Sequence, residues 1–234
     1  MPIEVKKVLG ATVEEIESKK FNIMIGISLG NKYFTKENIK EYIMWALQNT
    51  KEKVLVFVAD KLNAINYEAK YHYEKKRAMS VALRKGNEMK ELINGIINEF
   101  SEKDRKKIAV IGWEEIENTE KYQKQKLIFE NAFFNDTKFH ERIVEIVKEQ
   151  VNSSIIKLKE GDYEKLALYP LYELPCFVTG LEYKKTLYTC LPYPRMGKID
   201  ELEMDLQKGK EFPSISKQLN LKNKVVIAEA YVVS

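Results

Sequence analysis

The residues best suited to covalent chemistry stand around Ser28, which follows an apolar run. The sequence from Ile23 to Gly30 is Ile-Met-Ile-Gly-Ile-Ser-Leu-Gly, so Ser28 is the centre of a Gly-x-Ser-x-Gly pattern. Such a run predicts a buried parallel strand, and the flanking glycines let a substrate approach the hydroxyl closely. The pattern therefore predicts either a nucleophile presented at the end of a strand or a turn whose serine caps the next segment.

A second group of reactive side chains lies in the segment from Tyr169 to Pro175, which reads Tyr-Pro-Leu-Tyr-Glu-Leu-Pro. On a helix, Tyr169 and Glu173 are one turn apart and share a face. A phenol beside a carboxylate can hold an ammonium group or move a proton to and from an amine. Pro175 is expected to end the regular helix there. The alternative is an exposed glutamate at a helix end.

A third candidate is Tyr193, which stands between Pro192 and Pro194. The two prolines restrict the backbone on both sides of the tyrosine and favour a fixed position for its hydroxyl. The alternative is an aromatic side chain that packs on a loop.

The histidines argue against a hydrolase. Gly-x-Ser-x-Gly is also the nucleophile pattern of α/β-hydrolases, which need an acid and a histidine downstream of the serine. The sequence offers only His72 and His140, and both are expected in helices and exposed to solvent. A histidine-dependent esterase is therefore the less favoured alternative.

The basic residues are concentrated in one window. Between Lys70 and Lys90, seven basic residues stand against two acidic ones, although the formal net charge of the whole chain is only +4. Such a patch is typical of a surface that binds a polyanion, and the alternative is a solvated helix face. Lys70, Arg77 and Arg84 recur every seven residues and are expected along one helix face. Beside them stand Lys75, Lys76 and Lys85.

Composition excludes several classes of protein. With 234 residues and 44% hydrophobic residues, the chain can bury an α/β core without disulfides or metal. No apolar run approaches the roughly 20 residues that span a bilayer, and the N-terminus lacks the apolar stretch of a secretory signal. Cys176 and Cys190 have no metal-ligand spacing. We expect a cytoplasmic protein without membrane contact or bound metal.

The order of elements predicts an α/β fold. Apolar strands alternate with long helices, which indicates a mostly parallel, doubly wound sheet with helices on both faces in a single domain over residues 1–234. In such sheets ligands bind beyond the carboxyl ends of the strands, where Ser28 is expected. The expected strands are 23–27, 54–59, 107–112, 187–191 and 225–228. The expected helices are one that is capped by Thr35 and three over 67–100, 129–151 and 162–178. The segment 197–217 is expected to be a surface excursion.

These motifs together resemble those of the cyclodipeptide synthase family. The family motif His-x-aliphatic-aliphatic-Gly-aliphatic-Ser corresponds to residues 22–28, with Asn22 in place of histidine. The motif Tyr-aliphatic-x-x-Glu-x-Pro corresponds to residues 169–175, with Pro170 at the aliphatic position, and a later family tyrosine matches Tyr193. Members of this family join the amino acids of two aminoacyl-tRNAs into a cyclic dipeptide.

The resemblance implies a Rossmann-like domain similar to the catalytic domain of class I aminoacyl-tRNA synthetases, with no cofactor. It implies a ping-pong reaction through aminoacyl-Ser28 and dipeptidyl-Ser28 intermediates. Tyr169 and Glu173 would hold the ammonium group, and Tyr193 would act in a proton relay. The basic helix, expected at about 67–100, would bind tRNA in a protein that is expected to be a monomer.

The resemblance also implies a pocket for the first amino acid. By position, its lining would consist of Met24, Gly26, Asn31, Cys176 and Leu191, and Asn31 could also stabilise an oxyanion. This apolar lining favours an aliphatic or aromatic first residue, and ordinary core packing is the alternative for Met24, Cys176 and Leu191. The competing function is a non-catalytic tRNA- or RNA-binding module with a synthetase-like fold.

Overall fold

The molecule is built around a six-stranded sheet. The computed structural model describes residues 3–151 and 158–233. The strands are β1 (Ile3–Leu9), β2 (Ile23–Ile27), β3 (Val54–Val58), β4 (Ile108–Ile111), β5 (Leu181–Tyr183), β6 (Thr186–Tyr188), β7 (Cys190–Tyr193) and β8 (Val226–Val232). The main sheet has the order β1-β8-β7-β2-β3-β4, and β5 and β6 form a separate antiparallel pair. All neighbours in the main sheet are parallel except β1 and β8.

Helices cover both faces of this sheet. They are α1 (Val13–Glu17), α2 (Lys36–Asn49), α3 (Ala64–Tyr71), α4 (Lys75–Ile97), α5 (Glu102–Arg105), α6 (Glu114–Glu117), α7 (Glu120–Asn135), α8 (Thr137–Val151), α9 (Glu160–Thr179), α10 (Lys198–Lys208) and α11 (Pro213–Leu219). Ile23, Ile25 and Ile27 pack against α2 and α4 on one face, and Met24 packs with residues of α9 and α10 on the other. The predicted mostly parallel, doubly wound fold is confirmed. No helix of the described residues is long and apolar enough to cross a membrane.

The central strands form where the apolar runs predict them. Every residue of β3 is buried, and β2 pairs with it from Ile23↔Val54 to Ile27↔Val58. Continuous apolar runs suit strands that are covered on both faces. The expected cap of α2 is also present, since the Thr35 side chain accepts a hydrogen bond from the Asn38 amide. β1, an antiparallel edge strand, was not predicted.

The predicted single helix over 67–100 is wrong. The chain forms α3 and α4, which are separated at His72, a residue in the left-handed region with φ 52°. The ring of Tyr67 stacks on that of Tyr73 at a centroid distance of 6.0 Å, and the Tyr73 amide donates to the Tyr67 carbonyl. This packing closes the turn. Lys70 therefore lies on α3 and does not share a helix with Arg77.

Three other predicted boundaries are also wrong. The helix expected over 129–151 is two helices, because the Asp136 side chain accepts hydrogen bonds from the Lys138 and Phe139 amides and starts α8. The strand expected over 187–191 is divided between β6 and β7, which belong to different sheets. The helix expected over 162–178 is present as α9 (Glu160–Thr179), but Pro175, which was expected to end its regular part, lies inside it.

The segment 197–217 is not a surface excursion. It forms α10 and α11, in which Leu202, Leu206 and Ile215 are buried in a cluster with residues of α8 and α9. Its high charge lies mainly on the outer faces of these helices, and the apolar positions between the charges carry the packing. α10 thereby becomes a wall of the site described below.

A buried carboxylate joins the basic helix to the sheet. Asp60 follows β3 and is 2% exposed. Its Oδ1 accepts hydrogen bonds of 2.8 Å from the backbone amides of Lys61 and Trp113, and its Oδ2 pairs with Lys90 Nζ at 2.8 Å. Asp60 thus links β3 to α4 and to the chain that follows β4.

Two glycines make room for Asp60. A Cβ added at Gly86 would lie 2.2 Å from the Asp60 Cβ, and a Cβ added at Gly112 would lie 2.4 Å from its Oδ2. Both distances are far inside van der Waals contact. α4 and the end of β4 can approach the aspartate this closely only because neither position carries a side chain.

Candidate active site

Ser28 lies where β2 and β7 end side by side. These strands are parallel neighbours, so the residue after β2 and the last residue of β7 meet at the same edge of the sheet. The Tyr193 hydroxyl donates a hydrogen bond of 3.0 Å to Ser28 Oγ. Asn31 Nδ2 in turn donates to the Tyr193 hydroxyl at 3.3 Å. The three predicted residues therefore form one hydrogen-bonded chain.

The turn after Ser28 positions Asn31. The Asn31 amide donates to the Ser28 carbonyl, and the Asn31 side-chain oxygen accepts from the Tyr33 amide at 3.0 Å. Gly30 has φ 84°, a left-handed conformation that favours glycine. This turn fixes the Asn31 side chain with its nitrogen toward Tyr193.

α9 supplies the predicted phenol and carboxyl pair. Tyr169 and Glu173 both line the same cavity as Ser28. Burial raises the pKa of Glu173 to about 8; the Tyr169 hydroxyl opposes this by hydrogen bonding, and the Asp200 carboxyl adds to it. Burial, and then the Glu173 charge, raise the pKa of Tyr169, whereas the Ser28 hydroxyl lowers it. Glu173 can therefore gain or lose a proton near neutral pH.

The cavity around these residues is large enough for a small-molecule substrate. Its volume of about 640 Å³ lies within the usual range for such sites. A Cβ added at Gly26 would have no atom within 4 Å, so this glycine leaves the floor of the cavity open. Of the residues that were predicted to line it, the structure places Met24, Gly26, Asn31 and Leu191 there.

Cys176 lies elsewhere. It is buried in the same hydrophobic cluster as Met24 and Leu191, but it lines a second cavity of about 250 Å³ together with residues of α7 and β5. Burial raises the pKa of its thiol. Cys176 therefore lies behind the residues that line the larger cavity, and it does not line that cavity itself.

Sequence reasoning missed two acidic residues of the cavity. Asp200 and Glu203 lie on α10, in the segment predicted to be a surface excursion, and both line the cavity. Asp200 accepts a hydrogen bond of 2.6 Å from the Gly197 amide and so caps α10. The only signal in the sequence is the i, i+3 spacing of the two acids, which a solvated helix shows as well.

The two histidines lie away from the serine. His72 is exposed at the end of α3, and His140 Nε2 contacts Glu164 at 3.1 Å on the partly exposed side of α8. Neither lines the cavity that holds Ser28. The arrangement does not supply the serine–histidine pair that an esterase of the hydrolase type needs.

The basic residues of α4 form an exposed surface. Lys75, Lys76, Arg77, Arg84 and Lys85 are exposed, whereas Lys70 on α3 is partly buried, which lowers its pKa. The Arg77 guanidinium lies 4.1 Å from the centroid of the Tyr73 ring. Arg84 and Lys85 both pair with Glu88, at 2.5 and 3.7 Å, whereas Lys75, Lys76 and Arg77 form no ion pair with another described residue.

Comparisons with known proteins agree with this fold. Residues 7–204 match the family model described as cyclodipeptide synthase. No curated protein matches the chain.

Solved structures resemble the chain over most of its length. A cyclodipeptide synthase from Staphylococcus haemolyticus has 19% identity and a TM-score of 0.73, over 97% of this chain and 99% of that one. A Mycobacterium tuberculosis protein, described as demonstrating that cyclodipeptide synthetases are related to type I tRNA synthetases, has 18% identity and a TM-score of 0.73, over 94% and 89%. The enzyme from Candidatus Glomeribacter gigasporarum bound to Phe-tRNAPhe has 14% identity and a TM-score of 0.58, over 91% and 88%. These likenesses show the fold.

Proposed function

The chain belongs to the cyclodipeptide synthase family, whose enzymes form cyclic dipeptides, and we propose that it takes both amino acids from aminoacyl-tRNAs. The likeness to a synthase bound to Phe-tRNAPhe supports this source of activated amino acids. The observation that carries the proposal is the 3.0 Å hydrogen bond between Tyr193 and Ser28 in a cavity that also contains Glu173.

The first step is acyl transfer to Ser28. Its Oγ attacks the ester carbonyl of the first aminoacyl-tRNA and forms a new ester bond. The bond from that carbon to the terminal ribose oxygen breaks, and the serine proton ends on the ribose hydroxyl that leaves with the tRNA. We assign stabilisation of the oxyanion to nearby backbone amides and to the Asn31 side chain, whose nitrogen faces the hydroxyl that contacts Ser28.

Glu173 and Tyr169 hold the amino group of the bound aminoacyl residue. A carboxylate beside a phenol offers hydrogen-bond acceptors to an ammonium group, and both side chains are half-buried in the wall of the cavity. Since the pKa of Glu173 is about 8 without a ligand, a bound ammonium favours its ionised form. Glu173 can then accept a proton when an amine must become nucleophilic.

The second aminoacyl-tRNA completes the product. Its amine attacks the aminoacyl-Ser28 ester, the peptide bond forms, and the dipeptidyl group passes back to Ser28 as the second tRNA leaves. The free amine of the dipeptidyl group then attacks the serine ester and closes a six-membered ring. Tyr193 returns a proton to Ser28 Oγ through the hydrogen bond that joins the two residues.

The exposed basic face of α4 is the proposed tRNA surface. Phosphate contacts through Lys75, Lys76, Arg77, Arg84 and Lys85 would give affinity that does not depend on sequence and falls with salt. Lys70, partly buried on α3, would contribute less than these five. The rings of Tyr67, Tyr71 and Tyr73 lie together beside this face, and Tyr71 is 53% exposed.

The proposed pocket for the first amino acid is formed by Met24, Gly26 and Leu191. Its apolar lining favours an aliphatic or aromatic side chain there, and Cys176 would act only by supporting the wall. We also propose that the enzyme is a monomer, which light scattering can test. The large apolar side chains exposed on the described part of the chain are few: Met44, Tyr71, Leu127 and Phe134.

The test uses purified protein with aminoacyl-tRNAs carrying radiolabelled amino acids. Ser28→Ala is expected to remove both the labelled protein and the cyclic dipeptide, while tRNA binding is retained. Ser214→Ala, at an exposed position of α11, is the matched control and should behave like the unchanged protein. If the unchanged protein binds tRNA but forms neither labelled protein nor product, it is a non-catalytic tRNA-binding module.

A further inference from the structure

One buried carboxyl group of the cavity has no role in the proposed reaction. Glu203 lines the cavity and is only 4% exposed. It has no hydrogen bond or ion pair to another residue in the described ranges 3–151 and 158–233. A charged side chain buried without a partner carries a large desolvation cost, so such a residue is expected to have a functional reason.

The groups that face Glu203 are also acidic. Burial raises the pKa of Glu203 well above the usual range, and the charges of Asp200, one turn earlier on α10, and of Glu173 on α9 raise it further. Glu229 on β8 acts on Asp200 in the same direction. One side of the cavity is therefore rich in carboxyl groups, and each makes it harder for the others to ionise.

The cations near the cavity do not neutralise this group. Arg195 and Lys198 are exposed lining residues. Lys198 pairs with Glu149 of α8, and neither cation forms an ion pair with Glu173, Asp200 or Glu203. In the described part of the chain no cation balances these carboxyl groups, so a cationic ligand would supply the missing charge and favour their ionised form.

The geometry favours an organic cation over a metal ion. No group of three acidic, histidine or cysteine side chains within the described residues is arranged to hold a metal ion. An ammonium, guanidinium or imidazolium group can satisfy carboxylates that are too far apart to coordinate one metal. In the proposed reaction Glu173 holds an α-ammonium group, which leaves Glu203 available for a second cation.

We propose that Glu203, together with Asp200, binds the cationic side chain of one of the two amino acids, so that the product contains a residue with a basic side chain. This inference rests on the proposed function. The apolar part of the lining, which includes Met24 and Leu191, suits the other amino acid. Glu203 is thus a specificity-determining residue for a basic amino acid paired with an apolar one.

The experiment supplies all twenty aminoacyl-tRNAs, charged in vitro, to the purified protein and identifies the cyclic dipeptides by mass spectrometry. The expected product contains lysine, arginine or histidine. Glu203→Gln keeps the shape of the side chain but removes its charge. It should lower the rate with the basic amino acid by about tenfold or more, and leave the rate with uncharged amino acids unchanged or higher.

Glu201→Gln is the matched control, because Glu201 lies on the same helix and is exposed; it should leave the product unchanged. The midpoint temperature of thermal unfolding of Glu203→Gln should be no lower than that of the unchanged protein. This measurement distinguishes a loss of substrate specificity from a loss of folding. Products made only of uncharged residues would overturn this inference alone, as would unchanged selectivity in Glu203→Gln. If no aminoacyl-tRNA labels the protein or gives a product, the proposed function itself is wrong and this inference falls with it.

Discussion

The hydroxyl of Tyr193 donates a hydrogen bond of 3.0 Å to Ser28 Oγ, although the two residues are 165 positions apart in the chain. The contact follows from the sheet, since β2 and β7 are parallel neighbours whose carboxyl ends coincide. Asn31 approaches the same phenol from the turn after β2. The proposed proton transfer between Tyr193 and Ser28 would therefore follow a hydrogen bond that is already formed.

Tyr193→Phe is expected to lower the rate of cyclic dipeptide formation about 100-fold, because it removes the hydroxyl that is proposed to transfer a proton and keeps the ring. The rate is measured with purified aminoacyl-tRNAs under single-turnover conditions. Tyr183→Phe, on β5 and outside the lining of the cavity, is the control. Equal rates in the two variants would show that Tyr193 does not take part in the proton relay.

The stability of the protein is expected to fall as pH rises. The pKa of Glu173 is about 8 in the folded protein against an ordinary value of 4.5, so the folded state binds more protons than the unfolded state between these values. The free energy of unfolding therefore decreases from about pH 4.5 to about pH 8, by up to about 1.4 kcal/mol per pH unit for this one group. Burial of Asp200 and Glu203 acts in the same direction.

Glu173→Gln should flatten this dependence, because the amide does not titrate. Urea unfolding at intervals from pH 5 to pH 9 measures the slope, with Glu201→Gln as the exposed control. The same slope in Glu173→Gln and in the unchanged protein would show that Glu173 titrates normally.

The paired substitution Lys75→Ala with Lys76→Ala is expected to weaken tRNA binding and to reduce its salt dependence. The slope of log affinity against log salt concentration should become less steep by about 1 for each phosphate contact that is lost. Filter binding at several salt concentrations gives the slope. The control pair is Lys103→Ala with Lys138→Ala, on exposed positions of α5 and α8, and an effect as large there would place the tRNA elsewhere.

Tyr71→Ala is expected to weaken tRNA binding by about tenfold, because an exposed ring beside basic residues can stack on an unpaired base. Tyr71→Phe keeps the stacking face and should bind like the unchanged protein. Competition binding with uncharged tRNA measures both. Loss of affinity in the phenylalanine variant would mean that the hydroxyl, and not the ring, makes the contact.

Asp60→Ala is expected to lower the free energy of unfolding by about 3–5 kcal/mol, because it leaves the Lys90 charge and two backbone amides without their partner. Lys90→Met should lower the free energy of unfolding by less than Asp60→Ala does, since Asp60 would keep its hydrogen bonds from both backbone amides. Urea unfolding compares the two. A larger loss in Lys90→Met would contradict this account of the linkage.

The sequence alone was sufficient to predict the structure wherever one local pattern of residues determines it. The apolar runs of β2, β3 and β4 suit only buried strands, so their positions were predicted closely. Tyr169 and Glu173 are one helical turn apart, and their shared orientation followed from that spacing alone. Ser28 and Tyr193 were each predicted to be functional, and the parallel sheet then brought them together.

The features that were missed depend on contacts between distant parts of the chain. His72 is neither glycine nor proline, and it breaks the basic helix because three tyrosine rings pack together around that turn. α10 has the charge content of a surface helix, and only its contact with α9 shows that Glu203 is buried. Neither effect leaves a periodic signal in the sequence.

The close approach of Gly86 and Gly112 to Asp60 also limits how this protein can evolve. While position 60 carries an aspartate, any larger residue at position 86 or 112 collides with it. If the aspartate is lost first, Lys90 loses its counter-charge. A lineage can leave this arrangement only through an intermediate of low stability. We therefore expect positions 60, 86 and 112 to be inherited as a unit, even though none of them lines the cavity that holds Ser28.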